Sequence, residues 1–211
     1  MSEQAEATPT RFAILTVCTG NVCRSPFAEY LMRKGLNSWP AIEIESAGTG
    51  ALVGEPMTDQ TIEIARAHGG TNLEQHAARD LAIDQLRKAD LVIALTRAHR
   101  SEIVRMLPRA SRYTFTLREM ARLLEAVPSN DLEELAAFPL NNTVGRFATL
   151  VDIAAAQRGY TIPPEREIDD DVVDPFRRGD EAYSLMASQI VPAVDAIVNR
   201  FALAATVTRG V

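Results

Sequence analysis

Both cysteines of this 211-residue chain fall within one stretch, VCTGNVCRSP, residues 17–26. Cys18 is followed after five residues by Arg24, then by Ser25 and a proline suited to the first turn of a helix. A loop of this kind between a strand and a helix wraps an anion. Its backbone N–H groups turn inward, and the helix N-terminus adds partial positive charge. Arg24 can grip two phosphate oxygens at once. The same field favours a thiolate over a thiol at Cys18. A thiolate beneath a phosphate cradle is the equipment for nucleophilic phosphoryl transfer through a phosphocysteine. Gly20 and Asn21 tolerate the unusual backbone angles that a tight loop demands. The plain alternative is a strand-to-helix turn with two small buried cysteines; the flanking strand and helix and the Gly-Asn pair weigh against it.

The elements around this loop must hold it. The apolar run RFAILTV (11–17) reads as a buried strand that ends at Cys18, and a helix follows from Pro26. IEIES (42–46), LVIALT (91–96) and YTFTL (113–117) read as further strands. Helical patterns lie between them: MTDQTIEIARAHGG with two glycines past its end, RAHRSEIVRML stopped by Pro108, and REMARLLEAV. Strands and helices therefore alternate through residue 127, which argues for βαβ units, a parallel sheet and an α/β fold. Residues 128–173 are less regular. A helix is expected from about Thr143 to Arg158, and TIPPEREIDDDVV reads as an exposed loop in which Asp169, Asp170 and Asp171 are solvated. GDEAYSLMASQIVPAVDAIVNRF reads as a terminal helix that Pro192 should kink or split.

The length suits one domain with an insertion, and 46% hydrophobic residues are enough to bury a core. A net charge of -6 disfavours general binding to nucleic acid or to anionic membranes. No apolar run approaches the roughly 20 residues of a membrane helix. The opening MSEQAEATPT has neither a basic region nor an apolar core, so it reads as a disordered tail rather than a signal peptide. Two cysteines cannot staple so long a chain, and the cytoplasm is the expected compartment.

VCTGNVCRSPFAEYLM is similar to the signature of the low-molecular-weight protein tyrosine phosphatases. ESAGTGALVG (45–54) resembles the corresponding loop of bacterial members found with exopolysaccharide genes and tyrosine kinases. HAARDL (76–81), ADLVIALT (89–96) and DPFRRG (174–179) fit in order. The resemblance implies a four-stranded parallel sheet of order 2-1-3-4 flanked by helices. It implies one phosphatase domain over 11–202, with tails at 1–10 and 203–211. The chain exceeds the family's usual length, and the excess at about 128–173 reads as either a flap beside the site or a surface decoration. Cys18 is implied to be the nucleophile and Arg24 the binder of the phosphate and of the transition state. Thr19, Gly20, Val22 and Cys23 complete the cradle. Ser25 is implied to donate to the sulfur, and Asn21 to hold a left-handed turn tied to Ser46 and His76. His76 reads equally as an ordinary surface or core histidine. Asp174, before Pro175 and Phe176, is implied to be the acid that protonates the leaving group and then activates water. Leu52 and Phe176 are implied to wall the cleft, with the core as the alternative for Phe176. Glu29, Arg79 and Arg97 read as structural or surface residues. The implied partners are an oxyanion in the loop and a phosphorylated protein, with a bacterial tyrosine kinase as a candidate. No metal or other cofactor is called for.

Three rival functions remain. A thioredoxin-coupled arsenate reductase needs a later cysteine pair, and no cysteine follows Cys23; a type using a small external thiol is not excluded on that count. A protein-arginine phosphatase typically carries threonine where Val22 stands. A phosphate-binding module without turnover has no need of Cys18, Arg24, Ser25 and Asp174 together. Only Cys18 has a role in hydrolysis, so Cys23 is either a packing residue or a second thiol that captures an oxidised Cys18 as a disulfide.

Overall fold

The computed structural model describes residues 11–208. The residues read as an N-terminal tail, 1–10, lie outside these, as do residues 209–211. In chain order the elements are β1 (Phe12–Cys18), α1 (Arg24–Gly35), β2 (Ile42–Gly48), α2 (Asp59–Ala67), α3 (Ile83–Lys88), β3 (Leu91–Ala94) and α4 (Arg97–Met106). They continue with β4 (Thr114–Thr116), α5 (Leu117–Ala126), α6 (Ser129–Glu133), α7 (Thr143–Ala156) and α8 (Asp180–Thr206). The four strands form one parallel sheet of order β2-β1-β3-β4.

β1 is central and almost wholly buried because helices cover both faces of the sheet. Alternation along it divides the core. Phe12 and Ile14 join the larger cluster, with Phe27, Phe115, Phe147 and Phe201; Leu15 and Val17 join a smaller one with Val92, Ala94 and Ile103. The loops at the carboxyl ends of parallel strands are where such sheets place their ligands. β1 ends at Cys18.

Residues 128–173 behave neither as a flap nor as a decoration over their first half. α7 packs on α8, α5 and β1, and Phe147 meets Phe12 and Phe201 at ring separations of 5.7 and 5.1 Å. This contact lies at the Phe12 end of β1, about 20 Å from Cys18 at the strand's rise per residue. Arg146 is 1% exposed, and its guanidinium donates to the carbonyls of Phe138, Pro139, Ala204 and Val207. It thereby closes the C-terminal end of α8. The second half of the segment returns to the Cys18 end. Arg122 pairs with Asp170 at 2.8 Å, the Arg97 N–H donates to Asp171 at 2.7 Å, and Arg166 pairs with Asp169. The three aspartates are thus partners of arginines rather than solvated charges: the tertiary fold brings α5 and α4 against Asp170 and Asp171, while Asp169 pairs locally, three residues from Arg166.

Two further expectations change. Pro192 does not split α8, which runs on through it. Pro192 and Ser188 are both exposed, so the carbonyl deprived of its amide faces water. α8 also extends to Thr206 with Ala204 and Ala205 buried, so residues 203–206 are helix rather than tail.

Arg146→Ala should leave carbonyls without donors and a cavity in their midst. A loss of about 3 kcal/mol is expected from the urea midpoint, with turnover per folded molecule unchanged. A large fall in turnover at full folding would show that the far end of β1 governs the site.

Candidate active site

The loop after β1 is shaped from outside. Six consecutive carbonyls, Cys18 to Cys23, each accept a hydrogen bond from a neighbouring group. The backbone N–H donors are Thr49 to Cys18, Gly50 to Thr19, Leu52 to Gly20, Thr58 to Val22 and Phe27 to Cys23, at 2.9–3.2 Å. The sixth donor is His76 Nε2, 2.7 Å from the Asn21 carbonyl. With the carbonyls turned outward, the N–H groups from Thr19 to Arg24 have no acceptor among the described residues, and they form the concave side.

This geometry requires Asn21 to adopt φ 55°, in the left-handed region. Its side chain secures the turn. Asn21 Nδ2 donates to Ser25 Oγ at 3.0 Å and to Ser46 Oγ at 2.9 Å, and its Oδ1 accepts from the Arg79 N–H at 2.9 Å. Arg79 Nε also donates to the Ser46 carbonyl, so Arg79 is structural. The loop after β2 must come very close. A Cβ at Gly48 would stand 2.3 Å from the Thr19 carbonyl oxygen, which restricts this position to glycine.

Cys18 is 2% exposed at the floor, with Ser25 Oγ 3.0 Å from its sulfur. The Ser25 oxygen accepts from Asn21, and its one hydrogen has two acceptors within reach, the Cys18 sulfur and the Ala47 carbonyl at 3.3 Å. Arg24 is 4% exposed and lies against the Asp-Pro segment. One terminal nitrogen is 3.0 Å from Asp174 Oδ2, and the other donates toward the Val172 carbonyl. The Asp-Pro segment is anchored by the Val172 N–H to the Leu95 carbonyl and the Val173 N–H to Gln189 Oε1, both 2.9 Å. Asp174 Oδ1 caps the Phe176 N–H at 3.2 Å, and Arg177 at φ 59° turns the chain away.

Cys18, Thr19, Gly20, Val22, Cys23, Arg24, Leu52, Asp174 and Phe176 line one cavity of about 140 Å³. Asn21, Ser25, Ser46 and His76 stand behind the loop and hold it. Val22, Leu52 and Phe176 supply an apolar wall, and Phe176 also packs on the core. A larger open groove of about 750 Å³ lies behind the loop, between α1 and residues 69–79; no cysteine lines it. Cys23 faces Thr58 Oγ1 at 3.5 Å and the Tyr183 hydroxyl at 3.8 Å, and burial pushes its thiol up. The two cysteines are free thiols.

Sequence reasoning passed over His99. It sits in the first turn of α4, buried, with Nε2 2.8 Å from Thr19 Oγ1 and Nδ1 2.9 Å from Thr96 Oγ1. Burial first, and then the Arg24 guanidinium, push its imidazole down to about 4, against an opposing pull from Asp174. The available signal was TRAH directly after a strand: a helix-capping threonine three residues before a histidine, at a carboxyl strand end.

The imidazole of the unfolded chain titrates near the ordinary 6.5, and that of the folded chain near 4. Between these values the unfolded state holds more protons, so stability falls as pH drops through the window and is level above it. The loss should approach about 3 kcal/mol at the acidic end. His99→Gln should flatten this part of the curve in urea unfolding at neutral pH and at about pH 4. Equal slopes in parent and variant would contradict the buried neutral ring.

Comparison with known proteins agrees with this geometry. Residues 13–133, more than half of the chain, match the model of the low molecular weight phosphotyrosine protein phosphatase family. A probable low molecular weight protein-tyrosine-phosphatase, EpsP, from Ralstonia nicotianae is 37% identical over 125 residues, covering 59% of this chain and 82% of EpsP. Two solved structures share the fold. The YwlE arginine phosphatase of Geobacillus stearothermophilus has a TM-score of 0.61 at 23% identity, covering 89% of this chain and 91% of its own. The tyrosine phosphatase AmsI of Erwinia amylovora has a TM-score of 0.60 at 22% identity, covering 94% and 96%. With Cys18 at the head of the loop after β1 in a 2-1-3-4 sheet, the chain belongs to the low molecular weight phosphotyrosine protein phosphatase family.

Proposed function

We propose that the protein hydrolyses phosphotyrosine in proteins through a phosphocysteine intermediate. The observation that carries this reading is the cradle itself: six carbonyls turned outward around a buried sulfur, with Arg24 and Asp174 at its mouth. In the first step the Cys18 thiolate attacks phosphorus. The bond to the phenolic oxygen breaks, and Asp174 gives that oxygen a proton. In the second step water attacks the phosphocysteine, Asp174 takes the water's proton, and inorganic phosphate leaves as the thiolate is restored. Arg24 and the inward N–H groups bind the equatorial oxygens throughout.

Depth and wall select the ester. Cys18 lies at the floor, so the phosphorus must reach past Val22, Leu52 and Phe176. A phenyl ring spans that distance and packs on the apolar wall, whereas a phosphoserine side chain is shorter. The protein substrate proposed is a phosphorylated tyrosine kinase, the partner to which the exopolysaccharide-type resemblance points. A cytoplasmic location is proposed with it. No helix among the described residues is long and apolar enough to cross a membrane. Cys23 is proposed to capture a Cys18 sulfenic acid as a disulfide, with loss of water. Phosphoarginine hydrolysis is the second reading, and Val22 speaks against it: its methyl groups offer no hydrogen bond to a guanidinium.

Cys18→Ser should abolish turnover while phosphate still binds; activity within tenfold of the parent would remove Cys18 from the nucleophile's role. Asp174→Ala should slow phenyl phosphate hydrolysis by roughly 10²–10⁴, and para-nitrophenyl phosphate less, because its leaving group needs less help. Equal losses on both esters would sink the acid assignment. Val22→Thr should raise the ratio of phosphoarginine to phosphotyrosine turnover on matched peptides, and an unchanged ratio would show that selection lies elsewhere.

A further inference from the structure

The wall of the cradle beside Cys18 contains a hydrogen-bond chain that the hydrolytic scheme leaves unused. Thr19 follows the nucleophile and lines the cavity. Its Oγ1 lies 2.8 Å from His99 Nε2. On the far side of the ring, Nδ1 lies 2.9 Å from Thr96 Oγ1, which also accepts the His99 backbone N–H at 3.2 Å as the cap of α4. The charged groups facing the ring are Arg24 and Asp174, and the ring is buried beside them as the neutral form.

A neutral imidazole donates from one nitrogen and accepts at the other. The Thr96 oxygen keeps a second lone pair after it takes the backbone donor, so its contact with Nδ1 fits either ring tautomer; in one of them the Thr96 hydrogen goes to Nδ1. Nε2 then carries the ring hydrogen and donates it to Thr19 Oγ1. The hydrogen of Thr19 is left for the cavity. The opposite ring tautomer would turn the Thr19 hydrogen away from the site and present lone pairs to an anion, which the anion disfavours. A chain running in one direction also polarises each donor toward the next.

We propose that His99 is a positioning residue that, through this chain, aims the Thr19 hydroxyl as an additional donor at the oxyanion held above Cys18. Ser25 does not duplicate it, because that hydroxyl faces the sulfur from behind the loop. The inference rests on the loop being an anion cradle and is independent of which phosphate ester is the substrate.

Vanadate is the probe, with its affinity measured by titration calorimetry on the parent, Thr19→Val, His99→Phe, the double variant and His99→Gln. Valine matches threonine in shape, so the loop stays packed, and Gln can still donate to Thr19. A lost hydrogen bond to a charged group predicts weakening of about ten- to a hundredfold for Thr19→Val and for His99→Phe. The double variant should be no weaker than the single ones, because both break the same chain, and His99→Gln should recover most of the affinity. Thr19→Val binding vanadate as tightly as the parent, or losses that multiply in the double variant, would overturn the proposal. A parent that fails to bind vanadate would overturn the cradle reading itself and this proposal with it.

Discussion

Everything at this site depends on the carbonyls of residues 18–23 being held outward. A loop left to itself would pair its N–H groups with its own carbonyls or with water. Here the carbonyls are claimed first by the segment 49–58, by α1 and by His76, and the N–H groups face an anion by default. The constraint reaches far along the chain. It fixes Gly48 as glycine, puts Asn21 in the left-handed region, and recruits Ser46 and Arg79 from elements well separated in sequence. The strained turn at Asn21 persists because three separate partners determine it.

β1 connects this constraint to the stability of the protein. Its last residue is Cys18, the nucleophile we propose, and its first packs into the aromatic cluster of Phe147 and Phe201. Residues 128–173 touch both ends: α7 completes the core at Phe12, and the return segment ties Asp170 and Asp171 to α5 and α4 just before the Asp-Pro segment. The segment therefore acts as a brace from the far end of the sheet to Asp174. Buried Arg146 is the feature most specific to it, since it satisfies carbonyls from α8 and from the segment itself.

Local chemistry made much of this legible in advance. Cys18, Arg24 and Ser25 lie within eight residues of one loop, and the alternation of apolar runs with helical patterns defines the sheet without tertiary information. Asp174 was marked by the proline and phenylalanine beside it. His99 was not legible, because a histidine in the first turn of a helix gains its meaning only when β3 and β1 lie side by side and bring Thr19 within reach. Arg97, Asp170 and Asp171 likewise read as separate charges until the fold set Asp171 against Arg97 and Asp170 against Arg122. Pro192 misled in the other direction. A proline ring breaks a helix through the carbonyl it orphans, and sequence alone does not say that this carbonyl faces water.

The Arg24–Asp174 contact at 3.0 Å gives the guanidinium a counter-ion from within the protein. Anion binding is therefore an exchange: an arriving dianion takes the guanidinium from a carboxylate rather than from solvent. Half of the Asp174 side chain stays accessible to water, so the carboxylate yields at little cost. Displaced from the cation, the carboxylate is released for the acid role proposed for it. Under the proposed hydrolysis, the carboxylate competes for the place that inorganic phosphate leaves, and the site resets without depending on dilution alone to clear its product.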